Sequence, residues 1–141
     1  MISRGITFGS KQTFNDWGLY LSTRPVIAPP EVRTKYIDIP GTNGALDLSE
    51  ILGGVTYKTR NFNVTLVAIR NRNNWDSIYS TVMGYLHGQR RTMILDDDPQ
   101  YRWSGRFSVD SITYGDRTCK IAISGTLKPY KVKISDGTEV L

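Results

Sequence analysis

Few side chains in this chain could carry chemistry. The most suggestive are Asp96, Asp97 and Asp98, three consecutive carboxylates followed by Pro99. A divalent ion, or a metal-dependent hydrolase built on it, would need their oxygens to converge. Neighbours on an extended strand point to opposite faces, and calcium loops place carboxylates at alternate positions with a glycine. The run therefore reads as a turn closed by Pro99, its carboxylates capping backbone N–H groups or pairing with Arg90, Arg91 or Arg102. His87 is the single histidine and Cys119 the single cysteine. Together they cannot supply a zinc set, and no nucleophile elbow accompanies the imidazole. His87 is expected to act as a cation at a helix C-terminus, and Cys119 as a buried structural thiol that forms no internal disulfide.

Two glycine pairs, Gly41 with Gly44 and Gly53 with Gly54, lack the Lys-Ser/Thr of a phosphate loop and read as turns. Tyr101, Trp103, Phe107 and Tyr114 could stack on bases, which with a pI near 9.4 motivates a single-stranded nucleic-acid-binding β-barrel as the alternative function. Tyr101, Trp103 and Phe107 share one alternation phase, however, and that fits a core face. The formal charge of +5 is spread along the chain from Lys58 and Arg60 through Arg90 and Arg91 to Lys128, Lys131 and Lys133, as on a solvated surface. No catalytic, cofactor-binding or metal-binding residue is assigned. An enzyme is not expected, nor a small-molecule substrate.

The elements that must position these residues are mostly strands. At 141 residues the chain suits one domain with a core of its own. Phe62, Val64, Leu66 and Ala68 alternate with more polar neighbours, and Tyr101–Tyr114 and Cys119–Leu127 form two long alternating runs joined through Gly115-Asp116-Arg117, a hairpin signal. Shorter strands are read at Ile2–Phe8, Leu19–Leu21, Val32–Ile39 and Thr92–Leu95. Trp75, Ile78, Tyr79, Val82, Tyr85 and Leu86 follow the helical period, so one helix is predicted from about Trp75 to Leu86. Asn74 is its N-cap, Gly88 its left-handed C′ residue, and Gly84 a hint of close packing. The predicted fold is mainly β, a sandwich or barrel of antiparallel strands with one flanking helix and a protruding hairpin or belt loop. No secretory leader, myristoylation signal or membrane span is read from the sequence.

The order of several short motifs resembles the N-terminal domain of the distal tail proteins of long, non-contractile-tailed bacteriophages and prophages. They are Asp16-Trp17-Gly18-Leu19, then Ile39-Pro40-Gly41, Gly44, Leu46-Asp47-Leu48-Ser49-Glu50 and Gly53-Gly54. Tyr57, Arg60, Trp75, Leu86-His87-Gly88 and Arg91 continue the pattern. Asp96-Asp97-Asp98-Pro99, Tyr101, Gly105-Arg106 and Lys128-Pro129-Tyr130 close it. Each motif is short; their agreement in order over residues 14–130 is what is specific. The resemblance implies a domain over 1–130 with a C-terminal tail over 131–141. It further implies a virion protein at the tail tip of a siphovirus, assembled in the bacterial cytoplasm. There a hexameric ring joins the tail tube protein to the baseplate or tail-tip protein and leaves a channel for DNA, without sequence-specific binding. Relatives often carry a second, C-terminal domain, sometimes resembling carbohydrate-binding modules, for which these residues leave no room.

Independently of the resemblance, Leu46, Leu48, Ile51 and Leu52 lie in a glycine-rich segment and need burial somewhere. Folding back onto the chain's own core and docking on another subunit are both open. As a ring interface, these four are the candidate donors.

Overall fold

In a computed structural model that describes residues 5–48, 54–69 and 74–141, the chain is built on one ten-stranded, largely antiparallel sheet and a separate two-stranded hairpin. Three long strands form its centre: β7 (Arg60–Ala68), β9 (Asp98–Tyr114) and β10 (Cys119–Leu127). The β9–β10 turn is closed by the Gly115 N–H bonding the Thr118 carbonyl at 2.8 Å, as the Gly-Asp-Arg signal predicts. On the other side of β9 lies β8 (Gln89–Leu95), then the hairpin of β1 (Ile6–Phe8) and β2 (Lys11–Gln12). Two short strands, β3 (Tyr20–Leu21) and β4 (Val26–Ile27), pair one after the other along the same edge of β7. The ends of the path, β2 and β3, are not joined to each other. The sheet is open and no barrel closes.

One face of this sheet carries the core. Trp103, Phe107 and Val109 of β9 alternate with exposed or half-buried neighbours and are buried, together with Phe62, Val64 and Leu66 of β7 and Ile121 and Ile123 of β10. The register places Gly125 of β10 between Phe62 and Phe107, and the two rings meet edge to face across it at 5.8 Å. A Cβ at Gly125 would lie 2.7 Å from the Phe107 ring. Glycine is required there for packing, because the aromatic pair fills the space a side chain would take.

The predicted helix is α2 (Trp75–Leu86), which packs on β8 and β9 through Trp75, Val82 and Leu86. Gly88 follows with φ 72°, the left-handed residue expected. Two expectations at its ends are corrected. Asn74 occupies the N-cap position but makes no side-chain capping bond. A Cβ on Gly84 would meet nothing within 4 Å, so this glycine marks open surface and not close packing.

A second helix was not foreseen. α1 (Thr13–Trp17) is five residues long and is held by reciprocal caps: Gln12 Oε1 accepts from the Asn15 N–H, and Asp16 Oδ2 accepts from the Gln12 N–H at 2.7 Å. Gly18, at φ 68°, ends it. The payoff is Trp17, buried against Phe8 and edge-on to Tyr85 at 5.9 Å. The Tyr85 hydroxyl donates to the Phe8 carbonyl at 3.0 Å and accepts from the Ser10 N–H at 3.1 Å, pinning the β1–β2 turn to α2.

Residues 131–140 also have a place. β11 (Lys131–Lys133) pairs with β9 through Val132 and Lys133, and β12 (Glu139–Val140) pairs with β11. The Lys131 ammonium bonds Asp98 at 3.0 Å and lies 4.3 Å from the Tyr101 ring centre, fastening this hairpin to the body.

Candidate interaction site

After Ile27 the chain leaves the body and returns at Arg60, forming an arm. Its base is a short ladder in which Val32 bridges Tyr57, the Arg33 N–H bonds Thr56 O at 2.9 Å, and the Lys58 N–H bonds Glu31 O at 2.8 Å. The Lys58–Glu31 ion pair at 3.3 Å is exposed on both sides and contributes register more than stability. Its far part is the separate hairpin of β5 (Tyr36–Asp38) and β6 (Ala45–Asp47), extended by the Leu48 N–H bonding Lys35 O at 2.7 Å. Glycines at φ 82° and 76°, Gly41 and Gly44, turn the tip, and the Thr42 hydroxyl caps the Ile39 carbonyl at 2.8 Å.

Pairing decides what each face presents. Ile37 stands opposite Leu46, so these two side chains share a face. Alternation adds Ile39 and Leu48 to it. Tyr36 opposite Asp47 and Asp38 opposite Ala45 occupy the other face. Ile37 is 42% exposed, Ile39 44% and Leu46 47%, while Leu48 is half-buried. Among the described residues, six of the twelve large apolar side chains that stand in solvent lie between Val32 and Val55. A two-stranded hairpin alone is marginal in water, and an apolar stripe on one is a surface waiting to be covered.

The root of the arm is anchored by Arg60. Its Nε donates to Ala28 O at 2.9 Å and a terminal nitrogen donates to Pro129 O at 3.3 Å, while the guanidinium lies 4.9 Å from the Trp103 ring centre. Burial pulls its pKa below the usual arginine value. Tyr57 and Tyr130 meet edge to face at 6.0 Å beside it. One cation thus ties the outgoing chain, the returning strand and the C-terminal segment together.

Of the four candidate donors, Leu46 and Leu48 lie on the apolar face of the arm. Ile51 and Leu52 lie outside the described residues. Ile37, Ile39 and Val32, on the outgoing side, are exposed as well and are not among those four. Their signal was the alternation within Val32–Ile39, which marks a strand without saying that nothing in the chain would cover it.

The remaining chemical candidates resolve into structure. Asp96 accepts from the Gly5 N–H at 2.8 Å and from the Gln12 side chain at 3.1 Å, a backbone-capping role. The turn is confined to Asp96 and Asp97; Asp98 and Pro99 belong to β9, and the cation on Asp98 is Lys131, not one of the arginines considered. Among the described residues no three His, Cys, Asp or Glu side chains gather as metal ligands would. The expected cationic role of His87 is corrected. Its Nδ1 accepts the Val109 N–H at 3.1 Å, which requires the neutral ring. That N–H lies beyond the end of the β8 ladder, which begins with Gln89 opposite Phe107, so the imidazole satisfies a group β8 does not reach. Cys119 is buried, and desolvation pushes its thiol up. Trp103 and Phe107 are core residues, unavailable to stack on bases. No helix among the described residues is long and apolar enough to cross a membrane.

Comparison with solved structures gives this fold a precedent. The chain superimposes on the crystal structure of the Dit (gp 19.1) protein of SPP1 with a TM-score of 0.70 over 92% of its length, at 11% identity. The fold is Dit-like. That Dit protein is described as a paradigm of the hub adsorption apparatus of phages infecting Gram-positive bacteria, and the present chain spans about half of it, 52%. No family model matches the chain, and no curated protein sequence matches it. The Dit-like fold agrees with the resemblance read from the motifs, and the β-rich architecture with one substantial flanking helix agrees with the predicted class.

Proposed function

We propose that the chain is a structural, non-enzymatic subunit of a phage or prophage tail tip. Copies join head to tail into a hexameric ring that links the tail tube protein to the baseplate or tail-tip protein, and the open centre passes DNA. Residues 1–130 form the ring-building domain, with 131–141 as its C-terminal segment. The protein works in the virion, at the site of host attachment, after assembly in the bacterial cytoplasm. The observation that carries this reading is the arm: on a Dit-like fold, a hairpin stands away from the core with Ile37, Ile39 and Leu46 in solvent. A second subunit is the partner that a head-to-tail ring supplies for such a surface.

Sedimentation velocity over a concentration series, with electron microscopy of the same sample, tests it. The expected result is a closed oligomer of six. The Ile37→Asp/Leu46→Asp double variant is expected to remain monomeric, because each carboxylate would be buried without a partner. A wild-type chain that stays monomeric at high concentration, with and without the tail tube protein, sinks the proposal.

A further inference from the structure

The tip of the arm leaves two reactive groups side by side with nothing holding either. In an antiparallel pair the bonded positions recur at every second residue. The Leu48 N–H bond to Lys35 O sets the phase of the β5–β6 ladder, and the same phase calls for a bond from the Gly44 N–H to the Ile39 carbonyl. That bond is not made. Thr42 occupies the Ile39 carbonyl instead, with its N–H at 3.2 Å and its hydroxyl at 2.8 Å. The Gly44 N–H is thereby left without a partner among the described residues, and so is the carboxamide of Asn43 beside it.

Of the asparagines in the chain, Asn43 alone is followed by glycine. Both residues are exposed, and no atom lies within 4 Å of where a Gly44 Cβ would stand. A glycine also gives the chain the rotational freedom that bringing its nitrogen onto a neighbouring side chain requires. Asparagine is thermolabile because its amide is a leaving group for such an attack.

We propose that Asn43 and Gly44 form a site of spontaneous covalent modification. The Gly44 nitrogen gives its proton to solvent base and bonds to the Asn43 side-chain carbonyl carbon, closing a succinimide. The carboxamide nitrogen takes up a proton and leaves as ammonia. Water then opens the ring at either carbonyl, giving aspartate or isoaspartate, with no change of oxidation state. Either product puts a negative charge on the tip. Isoaspartate also adds one carbon to the backbone of the turn that sets Ile37 opposite Leu46.

The chain carries its own control. Asp136-Gly137 could close the same ring with loss of water, and its glycine likewise lies at positive φ, 77°. There both reacting groups are engaged: the Gly137 N–H bonds Lys133 O at 2.8 Å, and Asp136 Oδ1 accepts from the Thr138 N–H at 2.9 Å. The structure thus assigns reaction to one pair and protection to the other.

Ageing the full-length chain at mildly alkaline pH, followed by peptide mapping with mass spectrometry, tests the assignment. The peptide spanning Asn43 is expected to exchange NH for O in mass, to take up heavy oxygen from labelled water, and to accept methyl groups from an isoaspartyl methyltransferase. The peptide spanning Asp136 is expected to stay unmethylated in the folded chain, and both peptides to be methylated after ageing in urea. Asn43→Gln, a change at an exposed position, is expected to lose the mass shift and the methylation of the arm peptide. An Asn43 peptide that keeps its mass in the folded chain while changing in urea overturns the proposal. Methylation of Asp136 to the same extent folded and unfolded also overturns it, since free and engaged groups would then react alike.

Discussion

Tyr114 shows how one side-chain pair at the surface can be read as chemistry. Its hydroxyl donates to Asp76 Oδ1 at 2.6 Å, joining the end of β9 to the first turn of α2, with its ring 6.2 Å from Trp75. The hydrogen bond to the carboxylate, reinforced by the charge on Asp76, pushes the phenol up to about 12 from the ordinary 10.0. The phenolate would face a carboxylate, so the proton is held. Between those two values the folded chain binds a proton that the unfolded chain has lost, and stability falls as pH rises. The contribution is complete below the unfolded value and gone above the folded one. Absorbance titration of tyrosinate is expected to show one tyrosine ionising near 12, returned to the ordinary range by Asp76→Asn. An unchanged titration in that variant would show that the bond does not form in solution.

Among the elements, α2 is the one whose sequence spoke most clearly and whose glycine was most easily misread. Its apolar period gave the span Trp75–Leu86 directly, because a 12-residue amphipathic helix repeats its signal several times. Gly84 interrupts that helix on an exposed position with open space around it. Gly84→Ala is therefore expected to stabilise the fold by about 0.5–1 kcal/mol through helix propensity alone, measurable by urea denaturation at unchanged slope. A destabilised Gly84→Ala chain would mean that something packs on this face after all. The opposite sign is expected at Gly88, where φ 72° suits only glycine. α1 was illegible for the converse reason. Five residues give no period, and what holds Thr13–Trp17 is the exchange of caps between Gln12 and Asp16, a pattern common in turns. The long strands were legible through alternation, as at Trp103, Gly105, Phe107 and Val109. Where β9 begins was not, since Asp98-Pro99 is turn chemistry that the pairing of Leu95 with Asp98 overrides. The candidate site was half legible. Leu46 and Leu48 could be singled out as apolar residues in search of cover, but the register that sets Ile37 opposite Leu46 and gathers the stripe on one face is decided by the hairpin pairing, which no local spacing encodes.

At the scale of the whole molecule, stability and exposure are divided unevenly. The buried core draws on β1, α1, β3, β7, α2, β8, β9 and β10, yet includes none of the described residues between Ala28 and Arg60. Among the described residues the arm is tied by its own ladder and by the bonds at its root, so opening it costs little of the burial that fixes the body. Backbone amides of Tyr36–Asp38 and Ala45–Leu48 are expected to exchange with solvent orders of magnitude faster than those of β7, β9 and β10 in a dilute, monomeric sample. Assembly changes the terms for the arm alone. If a neighbour covers it, opening requires breaking that contact, and the same amides become protected as concentration rises while the central strands barely change. Hydrogen exchange read by mass spectrometry at two concentrations separates these cases. Protection of the arm at both concentrations would mean that its own chain covers it, and the apolar stripe would then be part of the core and no part of an interface.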